Sequence, residues 1–377
     1  MRQKLYSVII AGGRGTRFWP LSRSRKPKQL LKLFGPKTLL YETAERVLSL
    51  SGSNQTLIVT VAEQLNGVRK ELSALPRKNF LAEPEGKNTA PCIGLAALEV
   101  IARDPDAVMI ILPADHWVAD VPAFRRTLNA AAELAARHNQ LVTIGIQPAY
   151  PETGYGYIVR GQPLTGDRTS SAYQVKRFKE KPDAKIVRQL LRQGSLWNAG
   201  IFAWKASTLL AVMERYQPAI HNSLAKIANA AGGKSLASPT PKLSSVIARE
   251  YKKMPSISID HAILEPAGSE GRVLTVPGQF GWSDVGSWAA VHQMSPRDSD
   301  GNAANGKWLA LDSRDCLIQA PDRLVVLLGM RDAVIVDTPD ALLVGDLKRS
   351  QEVRDLVDEL NKRGYRSYTI DESTSRR

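Results

Sequence analysis

Four short apolar runs recur along the first part of the chain: YSVIIA (6–11), TLIVTV (56–61), AVMIILPAD (107–115) and LVTIGI (141–146). Between them lie stretches whose apolar residues repeat at helical spacing, such as Leu39, Leu40, Ala44, Val47 and Leu48 in KTLLYETAERVLSL (37–50). PCIGLAALEVIARD (91–104), with Pro91 suited to a first turn, and AFRRTLNAAAELAARHN (123–139) read as further helices. A parallel strand buried on both faces reads as a continuous apolar run, so this alternation predicts βα units and an open, mostly parallel α/β sheet. In such sheets ligands sit beyond the carboxyl ends of the strands. Asp115, at the end of the third run, stands at such a place.

With 377 residues, the chain exceeds one average domain. A polar, turn-rich stretch, HQMSPRDSDGNAANG (292–306), marks a boundary and predicts domains at 1–294 and 295–377. Beyond it, WLALDS, DCLIQA, RLVVLL, AVIVDT and ALLVGD are short strands with turns between them, as in a small β module or a few rungs of a β-solenoid. The last helix, SQEVRDLVDELNKRG (350–364), carries Val353, Leu356, Val357 and Leu360 on one face.

The first strand runs into a glycine-rich, cationic stretch, IIAGGRGTRFWPLSRSRKPKQLL (9–31). Ten Lys and Arg and no acidic residue precede Glu42, whereas charges elsewhere are mixed. The net charge of +14 favours an anionic partner. A P-loop fails here, because Arg17 or Phe18 stands where its second glycine belongs. A dinucleotide fingerprint starting at Gly13 fails at Phe18, which is too large for its position. What remains is the physics common to both: glycines let phosphate approach backbone N–H groups, while Arg17 and Lys28 supply a planar fork and a mobile point charge. A tight turn with a solvated cationic face is the bland alternative.

Other classes are disfavoured. Two distant cysteines, Cys92 and Cys316, make neither a disulfide framework nor a zinc site. The apolar start is shorter than a signal core, and no segment approaches the roughly 20 apolar residues of a membrane span. A cytoplasmic protein without a membrane partner is expected. No RNP-like motif or zinc-finger spacing supports nucleic-acid binding, which is not expected either.

The stretch GGRGTRFWPLSRSRKPK resembles the signature of the sugar-1-phosphate nucleotidyltransferases. Seven further stretches, in the family's order, are similar to its mannose-1-phosphate guanylyltransferase branch: EPEGKNTAPCIGLAA (83–97), LPADHWVAD (112–120), PETGYGYIVRG (151–161), VKRFKEKPD (175–183), WNAGIFAWKAS (197–207), ISIDHAILE (257–265) and GWSDVGSW (281–288). The resemblance implies a Rossmann-like open mixed sheet, with a small C-terminal domain like a left-handed β-helix that ends in a helix. It implies GTP and mannose 1-phosphate as partners, GDP-mannose and pyrophosphate as products, and Mg²⁺ as cofactor. The longer relatives add a phosphomannose isomerase module for which this chain has no room, so the transferase activity alone is expected. The apolar β module would suit a homodimer.

The resemblance also implies roles. Arg17 and Lys28 would hold the triphosphate and the leaving pyrophosphate, with Arg14 and Arg25 as helpers; Arg23 and Lys26 read equally well as surface residues. Ala11, Gly12, Gly13, Gly15 and Thr16 would lie against the nucleotide. Asp115 and Asp284 would hold the metal, since Mg²⁺ favours few carboxylates together with substrate phosphates. Glu83 would accept the paired N–H donors of guanine, with Asn88 and Thr89 at base or ribose, unless these two cap the following helix. Gly156, Glu180, Lys181 and Asn198 would take the sugar phosphate. Lys179 stands where the family more often has an apolar residue and is left out, as is His116. Tyr155, Tyr157, Trp197 and Trp204 read as core or cleft wall. Another hexose or base, a non-catalytic nucleotide-sugar sensor, or a nucleic-acid binder are the readings to be tested against this one.

Overall fold

The computed structural model describes residues 4–13, 15–164 and 172–370. Arg14 therefore lies outside the described residues. The chain forms two compact units: 1–12, 43–114 and 118–282 make the first, and 13–42, 115–117 and 283–377 the second.

The first unit is built on strands β1 (Leu5–Ile10), β2 (Thr56–Val61), β3 (Phe80–Glu83) and β4 (Val108–Pro113). After a two-residue strand, β5 (Trp117–Val118), follow β6 (Leu141–Ile146), β7 (Tyr157–Pro163), β8 (Tyr173–Lys179), β9 (Leu196–Lys205) and β10 (Val273–Gly278). Nine of these make one sheet in the order β3-β2-β1-β4-β9-β6-β10-β8-β7. The four strands at the β3 end run parallel, as the apolar runs predict; β9 then enters antiparallel to both β4 and β6, which makes the sheet mixed. Helix Thr89–Arg103 is buried along most of its length against Val8, Leu57 and Val59 of the sheet, so it reads as apolar all round.

Past another short strand, β11 (Trp282–Ser283), the second unit holds β12 (Ala303–Leu311), β13 (Leu317–Leu328), β14 (Ala333–Asp337) and β15 (Leu342–Asp346). β12, β13 and β14 pair in parallel, the rung-like pattern expected of a solenoid, and β15 closes antiparallel on β14. DCLIQA and RLVVLL fuse into the single strand β13. Pro321 does not end it, because the register with β12 shifts between Gly306 and Trp308. A side chain at Gly306 would strike the Ala320 carbonyl there. On one face Leu309 and Leu311 of β12 stand beside Val326 and Leu328 of β13, all four exposed.

The C-terminal helix Val353–Lys362 buries Val353 and Val357 and packs Leu360 on the same core. Leu356, expected on that face, is exposed instead: the helix turns it toward solvent. Among the described residues no helix is long and apolar enough to cross a membrane.

Candidate active site

The glycine-rich loop belongs to the second unit from Gly13 onward. Gly15 adopts the left-handed conformation at φ 62°, and a Cβ there would lie 2.5 Å from Cβ of Lys28. Glycine is thus required twice over, by the turn and by the close passage of the Lys28 backbone. Thr16–Phe18 forms one 3₁₀ turn. Phe18 is buried edge-on against Trp288, and the indole N–H of Trp19 donates to the Tyr368 carbonyl at 2.9 Å. These apolar anchors leave Arg17 beside them exposed, and it makes no ion pair with any described residue.

Lys28 is drawn inward. Its side chain is 9% exposed, and its ammonium donates to Asp115 Oδ2 at 2.8 Å and to the Asp284 carbonyl at 2.5 Å. The Phe18 ring lies 5.6 Å from it. One nitrogen therefore gathers both residues proposed for the metal. Burial works to raise the Asp115 pKa, but the Lys28 charge and hydrogen bond, with His116, outweigh it and hold the carboxyl below its usual range. A partly exposed, ionised carboxylate next to a backbone carbonyl is a hard-oxygen set of the kind Mg²⁺ takes, with phosphates and water completing the shell. No cluster of three or more His, Cys, Asp or Glu that could hold a metal occurs among the described residues.

Arg23, read as an alternative surface residue, is not one. It is buried, with its guanidinium 2.9 Å from Asp340 Oδ1 and over the Trp19 ring. Arg25 and Lys26 are exposed.

In the first unit Glu83 ends β3 and is buried, not a loop carboxylate. The Tyr251 hydroxyl donates to its Oε2 at 2.5 Å, and Oε1 lies 3.4 Å from where a Cβ on Gly12 would be. Burial pushes the Glu83 carboxyl up, against hydrogen bonds from Tyr251 and Cys92 that favour the ion. Tyr251, buried beside it, has its own pKa driven far above the phenolic range by burial and the neighbouring acids. The sequence offered no signal for this partner. Ala11 is buried with its N–H on the Val59 carbonyl and its own carbonyl on Thr60, so only its backbone position adjoins the loop. Asn88 takes the capping alternative, its side chain accepting from the Thr89 N–H, whereas Thr89 Oγ1 accepts from the distant Ile259 N–H.

The residues expected at the sugar also cluster in the first unit. A Cβ at Gly156 would lie 2.6 Å from Glu180 Oε2, so the glycine makes room for that carboxylate. Lys181, in the left-handed region at φ 41°, brings its ammonium 3.4 Å from Glu180 Oε1. Lys179 pairs with Glu265 at 3.6 Å, and Glu265 accepts the Glu180 N–H, so Lys179 supports the loop from outside. Asn198 is buried and largely spent: Thr143 Oγ1 donates to its Oδ1 at 2.8 Å, and its Nδ2 donates to Asp260 Oδ1 at 2.9 Å. Sequence reasoning missed Asp260, although ISIDHAILE contains it. Tyr157, Trp197 and Trp204 are core, while Tyr155 is half-buried edge-on to Trp197.

Known proteins resemble both parts of this chain. The family described as Nucleotidyl transferase matches residues 6–301, and the domain described as MannoseP isomerase/GMP-like beta-helix matches 306–360. Mannose-1-phosphate guanylyltransferase of Klebsiella pneumoniae is 38% identical over 371 residues, covering 97% of this chain and 75% of that protein. An Escherichia coli protein of the same name is 38% identical over 371 residues, with the same shares. The solved structure described as mannose-1-phosphate geranyltransferase from Thermus thermophilus matches with a TM-score of 0.84 at 33% identity, covering 95% of this chain and 100% of that one. The chain is an enzyme of the nucleotidyl transferase family and belongs, within it, to the mannose-1-phosphate guanylyltransferases.

Proposed function

We propose that the chain transfers the guanylyl group of GTP to mannose 1-phosphate, releasing pyrophosphate and forming GDP-mannose. The observation that carries this is Lys28, whose buried ammonium gathers Asp115 and the Asp284 backbone behind an exposed Arg17 that has no counter-charge among the described residues. A phosphate monoester with its second pKa near ~6 is largely dianionic at pH 7, so the attacking oxygen needs no general base. That oxygen forms a bond to the α-phosphorus as the bond to the β-phosphate oxygen breaks and pyrophosphate leaves. The protein's task is to hold the reactants in line and neutralise the charge that builds on the leaving group. Arg17, as a two-pronged donor, and Lys28, as a point charge, fit that task. Mg²⁺ held by Asp115 and Asp284 would add charge neutralisation on the phosphate oxygens. Glu83, fixed by Tyr251, would read guanine, and Glu180 with Lys181 would take the sugar phosphate.

Pyrophosphate release from purified protein, offered each nucleoside triphosphate with each hexose 1-phosphate, tests the reading. Turnover with GTP and mannose 1-phosphate is expected, lost on EDTA treatment and in Asp115→Asn. No turnover with any pair in folded protein would sink it, and preference for another pair would correct the substrate. In the same assay Glu83→Gln is expected to lower the preference for GTP over ATP by ~10-fold or more, the scale of one lost discriminating hydrogen-bond pair. An unchanged preference removes Glu83 from base reading.

A further inference from the structure

In the first unit Asp260 has no task in the reaction proposed above, and its setting is unusual. It opens the single turn of π-helix in the described chain, Asp260–Leu264. Such turns are rare and frequently lie at functional sites. The turn aims Asp260 at Asn198, whose amide donates to it, and Thr143 and the Gly156 carbonyl fix that asparagine in place. Asn198 has its oxygen and one N–H engaged by protein, which leaves it poorly supplied for a ligand. Asp260 is half-buried rather than sealed, so part of it stays open to solvent.

We infer that Asp260 contacts the hexose hydroxyls of the sugar phosphate, with Asn198 behind it as its positioning residue. The inference rests on the function proposed above and adds a residue to it. The charged groups around Asp260 are Glu180 and Lys181 across from it and, nearby on its own turn, His261 and Glu265, the latter paired with Lys179. Burial and the facing Glu180 carboxylate push the Asp260 carboxyl up to about 7, against the pull of a backbone hydrogen bond, Lys181 and Asn198. A protonated Asp260 beside the Glu180 carboxylate presents a donor and an acceptor together, the pair that a sugar hydroxyl uses. Loss of that proton removes the donor and sets two anions against a substrate that itself carries a phosphate.

Calorimetric titration of the full chain with mannose 1-phosphate, and separately with GTP, decides the matter without relying on turnover. Asp260→Ala is expected to weaken mannose 1-phosphate binding by ~10-fold or more, while GTP binding stays within about twofold. Wild-type affinity for mannose 1-phosphate is expected to fall between about pH 6.5 and 8.5, above the substrate's own titration. In Asp260→Asn, whose amide cannot ionise, it stays flat. A merely structural aspartate would change the melting temperature and move neither the ligand split nor the pH profile. The inference is overturned if Asp260→Ala binds mannose 1-phosphate as wild type does, or if wild type binds no hexose 1-phosphate. Should the alanine variant not fold, an Asp260→Asn profile identical to that of wild type overturns it. Failure of turnover with intact binding counts against the proposed reaction alone.

Discussion

Lys28→Met should lower kcat for pyrophosphate release by ~10²–10³-fold, the usual cost of removing one preorganised charge at a developing anion. Methionine keeps the apolar stem and loses the ammonium, together with the cation it places 5.6 Å from the Phe18 ring. Two acceptors, Asp115 Oδ2 and the Asp284 carbonyl, then face each other with nothing between them. Arginine should not rescue the activity. A planar guanidinium cannot occupy a point where two acceptors meet one nitrogen, and the Lys28 backbone is already pressed against Gly15. Because Lys28 and Asp115 act as a unit, Lys28→Met/Asp115→Asn should be little slower than either single variant. A kcat within tenfold of wild type, or fully additive losses, would remove Lys28 from the chemistry.

The glycines after an apolar run, and a cationic stretch with no acidic residue in its sequence, were legible as a turn and a concentration of charge, and the fold brings Lys28 to Asp115. Strands β1, β2, β4 and β6 were legible for a related reason: a strand covered on both faces has no polar side to disguise it. What the sequence hid is what long-range packing decides. Glu83 and Tyr251 are 168 positions apart, and nothing in YKKMPS marks its tyrosine as a carboxylate partner. Asn198 is a subtler case. Its amide can serve a sugar hydroxyl or a neighbouring aspartate, and only the folded chain shows its bonds to Asp260 and Thr143. The same holds for division into units, since segments 13–42 and 283–377 pack together with no compositional trace.

Arg23 carries that last point to a measurable consequence. Its guanidinium is almost wholly buried and bonds Asp340 in the turn between β14 and β15, 317 positions away, while Nε and Nη1 are buried without hydrogen-bond partners. Asp340 is itself braced by the Thr338 hydroxyl. A buried ion pair is weak evidence of net stability, but breaking one by removing a single partner costs about 3–5 kcal/mol, because a desolvated charge is left alone. Asp340→Ala should therefore lower the unfolding free energy by roughly that amount, and urea unfolding measures it. Replacing both partners with apolar residues, as in Arg23→Met/Asp340→Leu, should recover most of the loss. Activity separates scaffold from site. Arg23 exchanges backbone hydrogen bonds with Lys26, and the Ser24 N–H reaches the Thr369 carbonyl, so the segment leading to Lys28 is held by the C-terminal β module and its final turn. At a temperature well below its melting point, Asp340→Ala should still lose ~10-fold or more in kcat, since a misplacement of about 1 Å at the reacting groups costs that much. If kcat instead stays at the wild-type level while stability drops, the β module braces the fold and has no part in placing the catalytic lysine.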